Sequence, residues 1–327
     1  MKKKILKAIL IFVIAVFLLV VTVFSAFSIG EKIMFADFYS NAEIHGKIPG
    51  LWSGYVPQGY CCVKGEDVRL SCGYMNDGKA SRIYIIPNDG GRAESIELSK
   101  ADGSLYDGHT GGIAVYGDNV FVTGATGLDI FSYADVTDGD GKATQKDVFN
   151  TPLDPAYCFI NEGNLYVGSF YRAGNYETPA EQRMTTPAGD GNTAVMAVYT
   201  IDVETCLPSS NGPSLVYSTT GLVQGATLTE DGKMILSTSY GLAKSHLYIY
   251  DLSKATEKTE MYTFGEHSVP LKYLDSASLI ETVEAPPMSE EIIYKDGIIY
   301  IMTESASVKY LFGKLTTGSY VYGYKYQ

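Results

Sequence analysis

Short runs of alternating apolar and polar residues recur along most of this chain, after one long apolar segment near the N-terminus. The long segment runs from Ala8 to Ile29, 22 residues in which only one threonine and two serines are polar. About 20 apolar residues are enough to cross a bilayer as a helix. The pattern therefore predicts one N-terminal transmembrane helix that contacts the lipid bilayer through residues 8–29, with residues 1–30 as the membrane anchor.

The charges around this span predict its orientation. Four lysines precede it, and the first acidic residue is Glu31. The N-terminus is therefore expected to be cytoplasmic, with everything after the span outside the cytoplasm. A cleaved signal peptide, with Ala26-Phe27-Ser28 at the cleavage site, would instead make the protein secreted. Because the apolar core of a secretory signal is about 7–15 residues long, the longer span favours a retained anchor.

Residues 31–50 are predicted to be a connecting stalk, and from residue 51 onwards one pattern recurs. Each unit has a polar or glycine-rich entry, an apolar strand, a turn, and two further strands that end in aromatic residues. Two units match strand for strand, one entered by Gln58-Gly59 and the other by Gln224-Gly225. Counting three looser copies, the five units are entered at Gln58, His109, Tyr157, Gln224 and Glu290.

This repeat predicts the fold. The entries lie 48 to 67 residues apart, and no helical pattern follows the anchor. Short antiparallel sheets at such a period are typical of radial repetition. We therefore expect residues 51–327 to form an all-β, five-bladed β-propeller, with six blades (or four) as the alternative. A β-sandwich would not give similar units that each begin with a polar turn.

In a propeller the innermost strand of each blade lines a central channel, so the five entry residues are expected to form one ring at one mouth. Tyr240 and Glu304, at the ends of second strands, are expected on the same rim. Gly111 and Gly112, which follow His109, would allow the backbone to pack closely near the axis. A concave polar and aromatic ring of this kind predicts a ligand-binding site. The alternatives are a merely polar channel lining and, for Glu304, a salt bridge with Lys309.

The same ring contains the candidates for chemistry. His109 and Glu290 are the candidate catalytic residues, as general acid or base. His109, Glu290 and an amide oxygen would suit zinc, or calcium if more oxygens joined them. No Gly-x-Ser-x-Gly nucleophile motif occurs, so nucleophilic hydrolysis by that route is not predicted.

Charge and cysteine content narrow the partners. Beyond the span the chain has 21 basic residues against 37 acidic ones, and such a surface repels nucleic acid. DNA or RNA binding is therefore not expected. Five cysteines are too few for a disulfide scaffold. Cys61, Cys62 and Cys72 lie on two neighbouring predicted strands, where they could form one bridge or remain free thiols.

Several segments together resemble a group of membrane-anchored or secreted proteins of Gram-positive bacteria that are predicted propellers and bring no assigned reaction. These segments are VPQGY, GHTGGIAVYGDNVFV, LYVGSFY, ILSTSYG and PPMSEE…YIMTESA, within about residues 50–325. More distantly, the strand-entering Gln-Gly resembles an element of plant-type glutaminyl cyclases, and the histidine-containing entry is similar to lactonase propellers. The resemblance to plant-type glutaminyl cyclases implies cyclase-like channel roles for Gln58 and Glu290.

These expectations combine into one functional hypothesis. We expect an extracytoplasmic, membrane-tethered propeller that binds a small molecule, glycan or peptide at the mouth of its channel. The 26 tyrosines and the absence of a strong nucleophile or metal set in the ring support binding. The alternatives are a lactonase-like or cyclase-like enzyme that uses the same ring, and a scaffold whose blade edges bind proteins.

Overall fold

A computed structural model describes residues 2–310 and 312–326. Helix α1 (Lys2–Met34) contains the apolar segment, and none of its most apolar stretch is buried against the rest of the chain. It is long and apolar enough to cross a membrane. Helix α2 (Ala36–Asn41) follows at once, and the short helix α3 (Tyr133–Thr137) lies much later in the chain.

The strands form consecutive antiparallel units. The first strand of the chain is β1 (Ala42–Lys47). Unit one contains β2 (Tyr55–Cys62), β3 (Val68–Met75), β4 (Arg82–Pro87) and β5 (Glu94–Ser99). Unit two contains β6 (Ile113–Tyr116), β7 (Asn119–Thr123), β8 (Gly127–Ser132) and β9 (Lys142–Asn150).

Units three and four carry insertions. Unit three contains β10 (Pro155–Asn161), β11 (Asn164–Ser169), the inserted hairpin β12 (Met184–Thr185) and β13 (Gly191–Asn192), then β14 (Ala194–Thr200) and β15 (Leu215–Thr219). Unit four contains β16 (Val223–Leu228), β17 (Lys233–Thr238), β18 (Ser245–Asp251) and β23 (Leu279–Ala285). Four short strands are inserted before β23, namely β19 (Thr256–Glu257), β20 (Tyr262–Phe264), β21 (His267–Val269) and β22 (Leu271–Tyr273). Of these, β22 and β19 extend the sheet of unit three, where β22 pairs with β15 in parallel, and β20 and β21 form a separate hairpin.

Unit five closes the ring. It contains β24 (Ser289–Lys295), β25 (Ile298–Thr303) and β26 (Tyr320–Lys325), and β1 pairs with β26 as its outermost strand. Short 3₁₀ turns occupy Ala180–Gln182, Leu252–Lys254 and Phe312–Lys314. The innermost strands contact one another in the cyclic order β2, β6, β10, β16, β24 and back to β2.

The apolar core lies between the units. Separate buried clusters occupy the junctions between units one and two, two and three, three and four, four and five, and five and one. Each sheet is covered on both faces by its neighbours, which explains why second strands such as β7 and β25 are buried along almost their whole length. The predicted propeller architecture is therefore confirmed.

The structure differs from the predicted stalk at residues 31–50. Phe35 and Phe38 are 4% and 2% exposed and belong to the cluster that joins units four and five. The Phe38 ring stacks on Tyr324 at a centroid distance of 5.6 Å. Because α2 and β1 complete unit five, this segment is part of the folded domain rather than an extended connector.

The cysteines and the insertion at residues 172–192 are also part of the folded domain. All five cysteines are free thiols, and the Cys72 thiol donates to the carbonyl of Thr110 at 3.1 Å. The insertion at 172–192 is ordered by the β12–β13 hairpin. It reaches unit four, where the Arg172 guanidinium lies 3.9 Å from the centre of the Tyr240 ring.

Candidate functional site

The chain enters its innermost strands through irregular backbone. The pairing register shifts at Gln58 in β2, Ala156 in β10, Gln224 in β16 and Glu290–Glu291 in β24. Just before the inner strands of units two, four and five, Thr110, Leu222 and Met288 have positive φ of 55°, 64° and 63°. Bulges re-aim side chains, and strained non-glycine backbone concentrates at functional sites. The shared end of these strands, the entry mouth, is therefore the candidate site.

Below the entry mouth the inner strands touch each other. A Cβ added to Gly59 would lie 2.7 Å from the backbone nitrogen of Ile113, and one added to Gly112 would lie 2.5 Å from that of Cys158. At Gly225 the added Cβ would lie 2.5 Å from the Cα of Glu291. We call this narrow level, formed by Gly59, Gly112, Gly225 and Glu291, the waist. It shows why glycine follows the entry residues: no side chain fits between the strands.

The carboxyl group of Glu291 is held within the waist. Its Oε1 accepts the backbone N–H of Ala226 at 3.0 Å, its Oε2 has no hydrogen-bond partner among the described residues, and the backbone N–H groups of Cys158 and Ile292 are near enough to lower its pKa. The side chain is fully buried. Burial raises the pKa of Glu291 well above its usual range, against the lowering effect of the neighbouring backbone N–H groups.

At the entry mouth, Gln58 of unit one contacts Glu304, which follows β25 of unit five. The contact lies where the last unit closes against the first. Nε2 of Gln58 donates to Oε2 of Glu304 at 2.8 Å and to the carbonyl of Pro57 at 2.7 Å. The hydroxyl of Tyr310 hydrogen-bonds to Glu304 as well. Glu290 is 1% exposed, and the charges of Glu304 and Glu291 act on it. Two carboxyl groups therefore lie at the base of the mouth, next to a primary amide and a phenol.

An aromatic and basic layer covers these groups. The rings of Tyr74 and His109 stack at a centroid distance of 4.9 Å. The Lys309 ammonium donates to the Tyr74 hydroxyl and lies 4.8 Å and 5.0 Å from the ring centres of Tyr74 and Tyr310. Glu304 and Lys309 therefore share this cluster through Tyr74 and Tyr310, rather than forming the direct salt bridge that was the sequence-based alternative for Glu304.

The electrostatics of the cluster follow from burial. Desolvation raises the pKa of Glu304 to about 7, against the lowering effects of the Lys309 charge and the Tyr310 and Gln58 hydrogen bonds. Burial, with the nearby charges of Glu304 and Glu291, raises the pKa of Glu290 well above its usual range. Desolvation of its ring and the Lys309 charge lower the pKa of His109 to about 4, although the residue as a whole is exposed to solvent. At pH 7 Glu304 is thus about half-ionised, while the raised pKa of Glu290 and the lowered pKa of His109 both favour the uncharged form of the side chain.

The other predicted ring residues are not in this cluster. Tyr157 is fully buried in the apolar cluster between units three and four, and its ring lies against Gly168. Gln224 is half-buried at the bulge of β16. Tyr240 lies at the end of β17 with Arg172 over its ring. The structure therefore brings together Gln58, His109, Glu290 and Glu304, while Tyr157 points into the core.

Glu291 is the site residue that the sequence reasoning missed. It follows Glu290 directly, and a regular strand would point the two side chains in opposite directions. The sequence did contain one signal for Glu291. This acidic residue aligns with Gly59 and Gly225, which follow the entry glutamines of units one and four. The bulge at Glu290–Glu291 brings both carboxyl groups near the axis.

The donor set considered for zinc or calcium does not assemble as expected. His109 stacks on Tyr74, whereas Glu290 lies beside Glu304 and Glu291. Within residues 2–310 and 312–326, no group of three or more His, Cys, Asp or Glu side chains is arranged to hold a metal ion. We therefore derive no chemical step through a metal.

No protein-family model matches the chain, and no curated protein matches it. Several solved structures are similar. One is a putative oxidoreductase (glucose dehydrogenase) of Thermus thermophilus, with 14% identity over 86% of this chain and 98% of that chain and a TM-score of 0.45. A second is the PQQ-bound aldose sugar dehydrogenase of Streptomyces coelicolor, with 14% identity over 80% of this chain and 78% of that chain and a TM-score of 0.44.

A third similar structure is the glutaminyl cyclase of Myxococcus xanthus, with 10% identity over 80% of this chain and 91% of that chain and a TM-score of 0.39. Sugar dehydrogenase and glutaminyl cyclase propellers are thus among the distant neighbours, as the sequence resemblance to cyclase-type and lactonase-type propellers anticipated. At these identities and TM-scores they carry no argument about ligand or reaction. The assignment of the chain to the β-propellers rests on its own strand pairing and cyclic closure.

Proposed function

We propose that this protein is a membrane-tethered β-propeller, located outside the cytoplasm, that binds a short neutral glycan at its entry mouth. The observation that carries the proposal is the cluster of Gln58, Glu290 and Glu304 beneath Tyr74 and His109. The four lysines before the span support the orientation.

The chemistry of the cluster supports a neutral, hydroxyl-rich ligand. Within the described part of the chain, Oε1 of Glu290 has no hydrogen-bond partner, and a buried polar atom without one is costly. A ligand hydroxyl supplies such a partner. The Lys309 ammonium offsets the partial charge of Glu304, so the mouth selects neither strong cations nor strong anions. The Tyr74 and His109 rings provide apolar faces for sugar rings.

The anchor supports a position of this mouth close to the bilayer. Oε2 of Glu31, in the last turn of α1, accepts the backbone N–H and the hydroxyl of Thr317 at 2.9 Å and 2.8 Å. Thr317 belongs to the connection between β25 and β26, which also carries Glu304 and Lys309. The end of the membrane helix and the site are therefore parts of one connected structure.

The test is a titration of the full-length protein in lipid nanodiscs with chitotriose, maltotriose and cellotriose, followed by calorimetry. We expect at least one trisaccharide to bind, and Glu304→Gln to weaken that binding at least tenfold, because a hydrogen bond to a charged group contributes about 1.5–3 kcal/mol. Glu97→Gln removes an exposed carboxylate, paired with Arg82 on the outside of unit one, and serves as the matched control. If no trisaccharide binds, or if both variants bind like the wild type, the proposal is wrong.

The second candidate is an enzyme that uses the same cluster, and the pKa of Glu304 favours it. A general acid or base works best when its pKa lies near the working pH, and paired carboxyl groups with separated pKa values are a common acid–base arrangement. Glu304, at about 7, fits this role better than His109, at about 4. Glu290, whose pKa is raised by burial, lies beside it.

This candidate has its own test. The protein is incubated across pH 5 to 9 with a simple γ-lactone and with a peptide that begins with glutamine, and turnover is measured by chromatography. Enzymatic function predicts turnover with an inflection near pH 7 that is lost in Glu304→Gln. Turnover of neither compound would reject the lactonase-like and cyclase-like alternatives while leaving the binding proposal standing.

A further inference from the structure

A large cavity lies at the opposite end of the channel from the entry mouth. Its volume is about 710 Å³, within the range of 300–1,000 Å³ that is common for small-molecule sites. All five innermost strands line it with their distal ends, which include Cys61, Val115, Phe159, Leu228 and Ile293. We call this space the far cavity.

The waist separates the far cavity from the entry mouth. The lining of the far cavity includes none of Gln58, His109, Glu290 or Glu304. Between the two compartments the inner strands approach each other closely around Gly59 and Gly112, and the carboxyl group of Glu291 accepts the backbone N–H of Ala226 at that level. A ligand in one compartment therefore does not contact the side chains of the other.

The walls of the far cavity combine two kinds of surface. Each innermost strand is the edge of its sheet, so its axis-facing N–H and C=O groups have no ladder partner. Between these polar edges lie partly exposed apolar and aromatic side chains, of which Phe159, Tyr116 and Tyr294 offer ring surface. Aromatic groups bind such rings by stacking or edge contacts.

The rim of the far cavity adds no net charge. Lys64 and Lys295 are opposed there by Glu66 and Glu162, and all four are exposed. The cavity therefore has nothing that selects a strongly charged molecule, and its ring surfaces and edge groups suit an aromatic body with one or two hydrogen-bonding substituents.

We propose that the far cavity is a second ligand site, independent of the entry mouth, which takes a neutral aromatic small molecule bearing hydrogen-bonding groups, such as a phenol or a heterocycle. The ligand enters from the solvent at the far mouth, places its ring among the apolar side chains, and pairs its polar groups with the free edges of the innermost strands.

The experiment uses 2-naphthol as the probe, with full-length protein in lipid nanodiscs and protein-free nanodiscs as the blank. Binding is followed by probe fluorescence. Leu228→Trp places a large side chain in the cavity and is expected to weaken binding at least tenfold. Leu242→Trp makes the same change at a residue that is 71% exposed, in the loop after β17 on the entry side, and is expected to bind within twofold of the wild type.

If circular dichroism shows that Leu228→Trp does not fold, the same binding measurement is made with a second cavity-filling variant, Val115→Trp. The proposal is overturned if 2-naphthol associates with the wild type no more than with empty nanodiscs. It is equally overturned if the filled variants bind as the wild type does, because the probe would then lie elsewhere, for example at Tyr74 in the entry mouth.

Discussion

At the scale of single residues, the entry mouth is an arrangement of ionisable groups whose charges are suppressed by burial. Glu290 and Glu291 are 1% and 0% exposed, and no lysine or arginine pairs directly with either within the described residues. Removing a carboxylate from water disfavours its charged form, so both acids bind protons more tightly in the folded protein. Glu304 is the intermediate case, since Lys309, Tyr310 and Gln58 partly compensate for its burial.

Because burial raises the pKa of these carboxyl groups, the stability of the folded protein is expected to depend on pH. A carboxyl group whose pKa is raised on folding binds more protons in the folded state, so its contribution to stability is lost as pH rises through the folded pKa. The low pKa of His109 acts in the opposite direction below about pH 6.5, which makes pH 6.5 to 8 the informative window. There the wild type is expected to lose roughly 1 kcal/mol from Glu304 alone.

Thermal unfolding measured in that window tests the assignment, with Glu304→Gln as the variant. Without the titrating group, the fall in stability from pH 6.5 to 8 should be smaller than in the wild type. Equal slopes for the two proteins would show that Glu304 titrates outside this range.

At the scale of elements, units one and four are each joined to the following unit by a serine near the start of the third strand. The Ser81 hydroxyl donates to the carbonyl of Gly108 at 2.6 Å, and the Ser245 hydroxyl accepts the backbone N–H of Ser289 at 3.1 Å. Each bond connects one unit with the entry of the following unit. The strand-for-strand match of units one and four therefore reflects a shared junction as well as a shared strand pattern.

The waist yields a prediction about one glycine. A Cβ at position 112 would lie 2.5 Å and 2.8 Å from backbone atoms of Cys158 and Tyr157, which belong to a paired strand and cannot move independently. Gly112→Ala is therefore expected to destabilise the fold by about 1–3 kcal/mol or more. Gly191→Ala, where an added Cβ meets nothing within 4 Å, should change stability by less than about 0.5 kcal/mol.

Chemical denaturation of the two variants beside the wild type measures both values. A Gly112→Ala protein as stable as Gly191→Ala would mean that the inner strands are farther apart than the waist requires.

At the scale of the whole molecule, the ring is closed by the chain segment that follows the N-terminal apolar helix. Strand β1 pairs with β26 from Ala42 opposite Tyr324 to Lys47 opposite Tyr320. Phe35 and Phe38 bury apolar surface against units four and five. The segment directly after the N-terminal apolar helix is thus packed into the propeller.

Two truncations test this closure. A fragment of residues 35–327 keeps α2 and β1 and is expected to be soluble, with a cooperative thermal transition. A fragment of residues 48–327 exposes the edge of β26 and the apolar surface left by Phe38, so it should aggregate or melt without a cooperative transition. Circular dichroism and size-exclusion chromatography distinguish the two outcomes, and equal melting temperatures would contradict the role of β1.

Much of the architecture follows from local patterns. The apolar span, the strands of units one and four, and the close packing at Gly112 all depend on neighbours within a few residues, and the structure has them at the expected places. The outermost strands were not visible in the sequence, because strands such as β9 and β1 are largely exposed and lack an apolar pattern.

The sequence by itself determined the anchor, the repeated β-units and the end of each unit at which polar side chains collect, because these depend on residue order and local backbone chemistry. Only the tertiary structure decided which of those side chains meet. Gln58 and Glu304 are 246 residues apart in the chain, and their contact exists because the last unit closes against the first. Burial, which raises the pKa of Glu304 and places Tyr157 in the core, is likewise a property of the closed ring.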